Sequence, residues 1–166
     1  MKKQILTLVA FVMMSITVIA SGDAPRMASK TVAVEEDFKS IAIKGNVEVV
    51  LLTADSKTLN VEAADKLIDQ VVIEVRDGVL HINGPKGSVK NRATVFVPVD
   101  ELEKVTLRGG SHLSSRGRIE SKKLHIRIEG YSTVNVTNLG EIEIETDAMY
   151  QFNYEKAERA IVRVSK

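Results

Sequence analysis

Val105-Thr106-Leu107-Arg108-Gly109-Gly110-Ser111-His112-Leu113 decides the fold, because the stretch recurs. Ile126-Arg127-Ile128-Glu129-Gly130-Tyr131-Ser132-Thr133-Val134 carries its pattern again 21 residues later, and Ile142-Glu143-Ile144-Glu145-Thr146-Asp147-Ala148 once more after a further 16. Each copy places apolar residues at every second position, as a strand with one buried face requires. A turn follows, at Gly109 and Gly130, where a Cβ would be unwelcome. Small residues come next, at Ser111, Ser132 and Ala148. A unit this short cannot bury its own apolar side, so such copies stack, each covering the next. Aligning the copies predicts columns of outward charge: Arg108 beside Glu129, Arg127 beside Glu143, and Glu143 beside Arg163. Opposite charges on neighbouring strands contribute about 0.2–1 kcal/mol per pair, so these columns would set register.

The same period of two runs through the upstream chain in shorter pieces. Ile41 and Ile43 alternate with Ala42 and Lys44; Val47, Val49 and Leu51 follow, then Leu59 to Val61 and Val71 to Val75. Asp77-Gly78 between apolar runs predicts a hairpin, since both residues accept the positive φ of a tight turn. Leu80 and Ile82 begin the return strand. Ala93 to Val97 is a further strand, which Pro98 is expected to stop for want of an N–H donor. Helical patterning is confined to a short stretch, Glu62 to Gln70. Ile161 to Val164 closes the chain with one more strand. The expected fold is all-β: a right-handed parallel β-helix or solenoid, with an N-terminal part of short strands and a hairpin.

These residues resemble a known family. Phe38-Lys39-Ser40-Ile41-Ala42-Ile43-Lys44-Gly45-Asn46-Val47-Glu48-Val49 looks like the opening of the auto-transporter adhesin head, or GIN, domain, and Asp77 to Ile82 is similar to its central turn. Val95-Phe96-Val97-Pro98, followed by Leu102 to Gly109, resembles its middle segment, and Gly130-Tyr131-Ser132 its recurring Gly-Ala-Ser corner. The resemblance covers about residues 36–166. It implies an exported β-helical domain of the bacterial cell envelope, an adhesin by label, with no established activity, no cofactor and no catalytic residue to carry over. Two departures stand out: Tyr131 replaces the alanine of that corner, and Thr146-Asp147-Ala148 replaces the last glycine turn.

The N-terminus reads as an address. Met1-Lys2-Lys3 is a positive start, and Ile5 to Ala20 an apolar run ending in small residues at Val18-Ile19-Ala20. That is the form of a cleaved signal peptide, and the run is short of the roughly 20 apolar residues of a permanent span. Residues 1–21 are therefore expected to be a signal peptide, 22–35 a flexible lead-in and 36–166 the domain. Export places the mature chain in the periplasm, at the cell surface or outside the cell. The 166 residues contain no cysteine, which excludes disulfides, zinc–thiolate sites, a thiol nucleophile and lipidation through cysteine. Lysine plus arginine, at 23, nearly balances 22 acids, which argues against a nucleic-acid partner. Tryptophan is absent, which disfavours a lectin-like stacking groove.

One segment is electrically uneven. Lys104, Arg108, Arg116, Arg118, Lys122, Lys123 and Arg127 face a single acid, Glu120, giving a local charge of +6. Arg116-Gly117-Arg118 and Lys122-Lys123 read as loops outside the charge columns. With His112, presented by the Gly109-Gly110 turn, these four cations form the candidate binding set for an anionic envelope glycan or lipopolysaccharide phosphate. The competing reading is a solvated loop balanced by the acids between Glu141 and Asp147. His81, His112 and His125 lack metal-ligand spacing. Ser111, Ser114 and Ser115 lack the elbow of a serine hydrolase. Glu141, Glu143 and Glu145 lie on one strand face, where charge columns explain them better than the facing acids of a glycosidase do. The reading is an exported adhesion or structural module without catalysis. The alternatives are a carbohydrate-active enzyme on a β-helix and a periplasmic accessory protein that binds a protein partner.

Overall fold

A computed structural model describes residues 26–54, 56–87 and 92–147, together with the backbone of 162–165. The chain is all-β. Thirteen strands and one helical turn are described: β1 (Met27–Ala33), β2 (Ser40–Lys44), β3 (Val47–Thr53), β4 (Thr58–Ala64), α1 (Asp65–Ile68), β5 (Val72–Arg76), β6 (Val79–Asn83), β7 (Ala93–Val99), β8 (Lys104–Arg108), β9 (His112–Ile119), β10 (Lys123–Glu129), β11 (Thr133–Asn138), β12 (Glu141–Thr146) and β13 (Val162–Ser165). They form two mixed sheets. One has the order β1-β4-β7-β3-β9-β11, the other β13-β12-β10-β8-β2-β6-β5. Among the described residues, no helix is long and apolar enough to cross a membrane.

From β6 to β12 successive strands alternate between the sheets, and the inward rows of both sheets merge into one apolar cluster. In the seven-stranded sheet Leu80, Ile41, Val105, Ile126 and Ile144 stand in register across five parallel strands. In the six-stranded sheet Val61, Val95, Val49, Leu113 and Val134 form a like row, with β4 antiparallel to β7 and the other three pairings parallel. All ten are essentially buried. β-Branched and leucine side chains on a period of two can fill such rows, because neighbouring strands present facing residues within contact.

The corners between sheets are built as the repeat predicted. Gly45, Gly109 and Gly130 all have positive φ, near +94°, +81° and +93°. The Gly45 N–H donates to the Arg108 carbonyl at 3.2 Å, and the Gly109 N–H to that of Glu129 at 3.1 Å. Ser111 and Ser132 are buried behind them, their hydroxyls 3.1 Å apart. The Ser132 hydroxyl also donates to the Gly109 carbonyl at 3.0 Å.

Four expectations need correction. First, the sheets are mixed rather than uniformly parallel: β1–β4, β4–β7 and β5–β6 are antiparallel. Second, part of the supposed flexible lead-in is strand. Ala28 and Val32 supply a faint alternation that becomes β1 only through pairing with β4. Third, β7 runs through Pro98 to Val99. β4 stops pairing with β7 at Phe96, so the proline falls where one side of the strand is open. Fourth, the register of β10 against β12 is two residues away from the alignment. Arg108 does face Glu129, and Glu143 pairs with Arg163, but Arg127 faces Glu145. A two-residue slip leaves every apolar side chain inward, so the period of two could not distinguish the registers. The turn at 138–140 decides. Leu139 N–H donates to the Ile119 carbonyl at 2.9 Å, and Glu141 N–H to that of Lys122 at 3.0 Å. The Asn138 side chain accepts from Ser121 N–H at 3.1 Å and donates to Ser121 C=O at 2.9 Å. The Ala148 corner and the signal segment 1–21 lie outside the described residues.

A Cβ added to Gly45 would approach the Gly84 carbonyl oxygen to 2.8 Å, on top of its left-handed backbone. Gly45→Ala is therefore expected to destabilise the domain by about 2 kcal/mol or more in urea unfolding. Gly78, left-handed in the hairpin but with nothing near its Cβ position, is the control. Gly78→Asn should stay within about 0.5 kcal/mol, because asparagine tolerates this conformation.

Candidate functional site

The structure distributes the five candidate residues over three places. Arg116-Gly117-Arg118 is not a loop but part of β9, where the strand bulges. Ser114 pairs with Asn135 and Arg118 with Thr137, so β9 uses more residues than β11 over the same length. Gly117, at φ near +95°, permits the bulge. The Ser115 hydroxyl fills the gap in the ladder, accepting from Thr137 N–H and donating to Gly117 C=O, both at 3.0 Å. Glycine between two arginines was the sequence signal for such a bulge.

Arg116 lies opposite Leu52 on the outer face of the six-stranded sheet. Its guanidinium sits 5.4 Å from the centre of the Phe96 ring, a cation–π contact. His112 is on the same face, four residues away along β9, or roughly 13 Å. It is half-buried, and its pKa is lowered, first by burial and then by the Arg92 charge, with Glu48 opposing. The imidazole is therefore neutral near pH 7. Arg118 and Lys122 flank the turn from β9 to β10, and Lys123 opens β10 in the other sheet.

The seven-stranded sheet neutralises much of the +6 segment. Lys123 Nζ is 3.0 Å from Glu143 Oε2, and Arg108 Nε is 2.6 Å from Glu129 Oε2. Arg127 bridges Glu129 at 2.9 Å and Glu145 at 3.4 Å. His125 lies between Glu143 and Glu145, its Nδ1 at 3.4 Å and Nε2 at 3.3 Å. The Glu129 carboxyl is lowered chiefly by its hydrogen bond from Arg108, and that of Glu143 by Lys123 and then His125. The glutamates thus serve the charge ladder rather than facing one another as a catalytic pair. Among the described residues, Lys104, Arg118 and Lys122 make no ion pair.

Lys122 and Lys123 also line a groove along the end of the sheets where β2, β8 and β10 begin. A cavity of about 550 Å³ is bounded by Glu101, Glu103, Glu120, Ser121, Lys122, Lys123 and His125. A second, of about 290 Å³, continues it past Phe38, Lys57, Pro98 and Val99. Lys39, Glu101 and Leu102 belong to both. Lys39 Nζ lies 3.1 Å from Glu103 and 3.3 Å from Glu101, and these hydrogen bonds hold its pKa above the ordinary lysine value. The floor is tied together where Leu102 N–H donates to the Ser121 hydroxyl at 3.2 Å. Cavities of this size suit small ligands or a few sugar units. Lys39, Glu101 and Glu103 escaped the sequence reading because they converge only through the parallel pairing of β2 with β8.

The site is thus an all-β scaffold of two packed sheets, with a charged ladder on one face and a polar groove at one end. Residues 37–154 match the family described as "Putative auto-transporter adhesin, head GIN domain", and the chain belongs to that family. The crystal structure of a putative adhesin from Parabacteroides distasonis is similar, with TM-score 0.46 and 15% identity, over 84% of this chain and 76% of that one. A putative adhesin from Parabacteroides merdae aligns with TM-score 0.42 and 11% identity, over 85% of this chain and 97% of that one. A putative cell adhesion protein from Clostridium sporogenes aligns with TM-score 0.42 and 13% identity, over 85% and 100%. No curated protein sequence matches the chain.

Glu129→Gln removes the carboxylate shared by Arg108 and Arg127, and is expected to lower the thermal midpoint slightly. Because the pairs are exposed, the difference should vanish in molar salt. Glu129 and Glu143 have lowered pKa values, so their stabilisation is present above the ordinary carboxylate range and lost as pH falls through the folded values. Melting curves of wild type and E129Q should therefore converge in acid.

Proposed function

We propose that this domain is an adhesion or interaction module of the bacterial cell envelope that works by binding, without turnover. The observation that carries the reading is membership of the adhesin head family over residues 37–154. On this reading residues 1–21 are a signal peptide, and the mature chain functions in the periplasm, at the cell surface or outside the cell. The parallel strands that alternate between the sheets act as solenoid-like coils, a rigid scaffold for the groove at their end. That rigidity suits recognition, because a preorganised surface loses little conformational entropy on binding.

The ligand class we favour is an anionic envelope glycan or the phosphate of lipopolysaccharide. Lys122 carries the proposal: it stands at the mouth of the larger cavity, and no acid among the described residues neutralises it. Arg118, across the β9–β10 turn, adds a second such charge. Lys123 contributes less, being paired with Glu143. His112 and Arg116, on the other sheet, form a separate surface. Carboxylates in the groove would accept hydrogen bonds from sugar hydroxyls, as Glu101 and Glu120 are placed to do.

Binding of the purified mature chain to envelope polysaccharides, lipopolysaccharide and whole cells tests this. Arg118→Glu with Lys122→Glu should abolish salt-sensitive binding, while Arg116→Glu should leave it within about twofold, as a remote exposed charge would. Equal loss in both variants would refute the groove as the site. No binding to any ligand would turn the search to a protein partner.

A further inference from the structure

β5 closes one end of the seven-stranded sheet and has no neighbour on its outer side among the described residues. β1 closes the same end of the other sheet, but it is guarded. Lys30 stands in its inward row, opposite Val61, where an added strand would have to bury the charge. β5 lacks such a guard, having no lysine, proline or bulge. Its inward residues, Ile73 and Val75, pack against the core yet are only half-buried, and Val72 is 52% exposed.

The hairpin dictates which backbone groups are available. A two-residue turn at Asp77-Gly78 makes Arg76 and Val79 a hydrogen-bonded pair. By alternation, Glu74 and Val72 also spend their N–H and C=O groups on β6. Those of Ile73 and Val75 point outward, to the open edge. A second β5 running antiparallel can use them in three registers. One sets Ile73 against Val75 and brings Glu74 face to face with Glu74 of the other copy. A second sets Ile73 against Ile73 and leaves each Glu74 opposite Val72, with no opposite charge. The third sets Val75 against Val75 on a two-fold axis and pairs Glu74 with Arg76, twice. Like charges at directly opposed positions destabilise a ladder, and opposite charges stabilise it. Arg76 and Glu74 already reach one another within the strand, at 2.9 Å, so both heads lie on the outer face that the pairing needs.

We propose that two copies of this chain associate through β5, antiparallel and two-fold at Val75, making one sheet continuous across the dimer. The occupant is a second copy because the edge is complementary in charge to itself. The contact covers the half-buried Val75, and none of the β5 residues that form it lines the groove. Two-fold closure also removes the edge from further growth.

Sedimentation equilibrium of the full chain, from low micromolar to sub-millimolar concentration, is the test. Wild type should show a monomer–dimer equilibrium. Arg76→Glu sets like charges opposite at both sites and should weaken it about tenfold or more. The swap Glu74→Arg/Arg76→Glu restores complementarity across the axis and should restore the dimer. An equimolar mixture of the single variants Glu74→Arg and Arg76→Glu should form a mixed dimer that neither forms alone. A wild-type chain that stays monomeric throughout would overturn the proposal. So would a dimer that R76E leaves unchanged, or a swap that fails to reassociate while its circular dichroism spectrum is that of the folded domain.

Discussion

Leu80, Ile41, Val105, Ile126 and Ile144 stand in one row across five strands, and every other part of the molecule depends on that row staying in line. Each residue is covered by its neighbours along the sheet and by the facing sheet across the core. A slip by one residue would expose the whole set, at a cost of roughly 1.5–3 kcal/mol for each large side chain. The corners exist to preserve this alignment. Glycines with positive φ let the backbone pass from one sheet to the other without a Cβ against the corner below, and the buried Ser132 satisfies the Gly109 carbonyl there. The charge ladder outside, from Lys123 to Arg108, follows from the same register and adds little stability of its own.

Order along the chain and order in space diverge at the centre. β2 and β3 come early, yet each lies between strands from later segments: β2 between β6 and β8, and β3 between β7 and β9. β2 and β3 thus form the middle of the stack, while the repeat that follows builds outward on one side. On the other side β4, β5 and β1 pair antiparallel and end the stack. This asymmetry gives the domain two unlike ends. One leads through β12 to the C-terminal strand, and the other carries the hairpin whose outer edge can pair with itself.

The proposed binding groove lies where strands end rather than where they run. The groove is framed by the residues just before β2, β8 and β10, because parallel strands bring equivalent connections to the same end of the stack. Lys39, Glu101 and Glu103 meet there from segments far apart in sequence. By contrast, the cations that looked like one basic patch separate when the chain folds. Successive segments turn from one sheet to the other, so Arg116 and Lys123 occupy opposite faces.

Strand character, the hairpin at Asp77-Gly78 and the glycine corners at Gly109 and Gly130 were legible in the sequence, because each follows from local rules: alternation, positive φ and small side chains. The apolar core was legible for the same reason, and so was the Arg108–Glu129 pairing. Only the tertiary structure decided the partners of each strand. Alternation says which face a residue takes and nothing about which strand lies beside it. It is also blind to a slip of two residues, so the match of Arg127 with Glu145 rested on hydrogen bonds of the Asn138 turn. The groove and the separation of the five candidate residues depended on pairings over long stretches of chain, and no local pattern in the sequence encodes those.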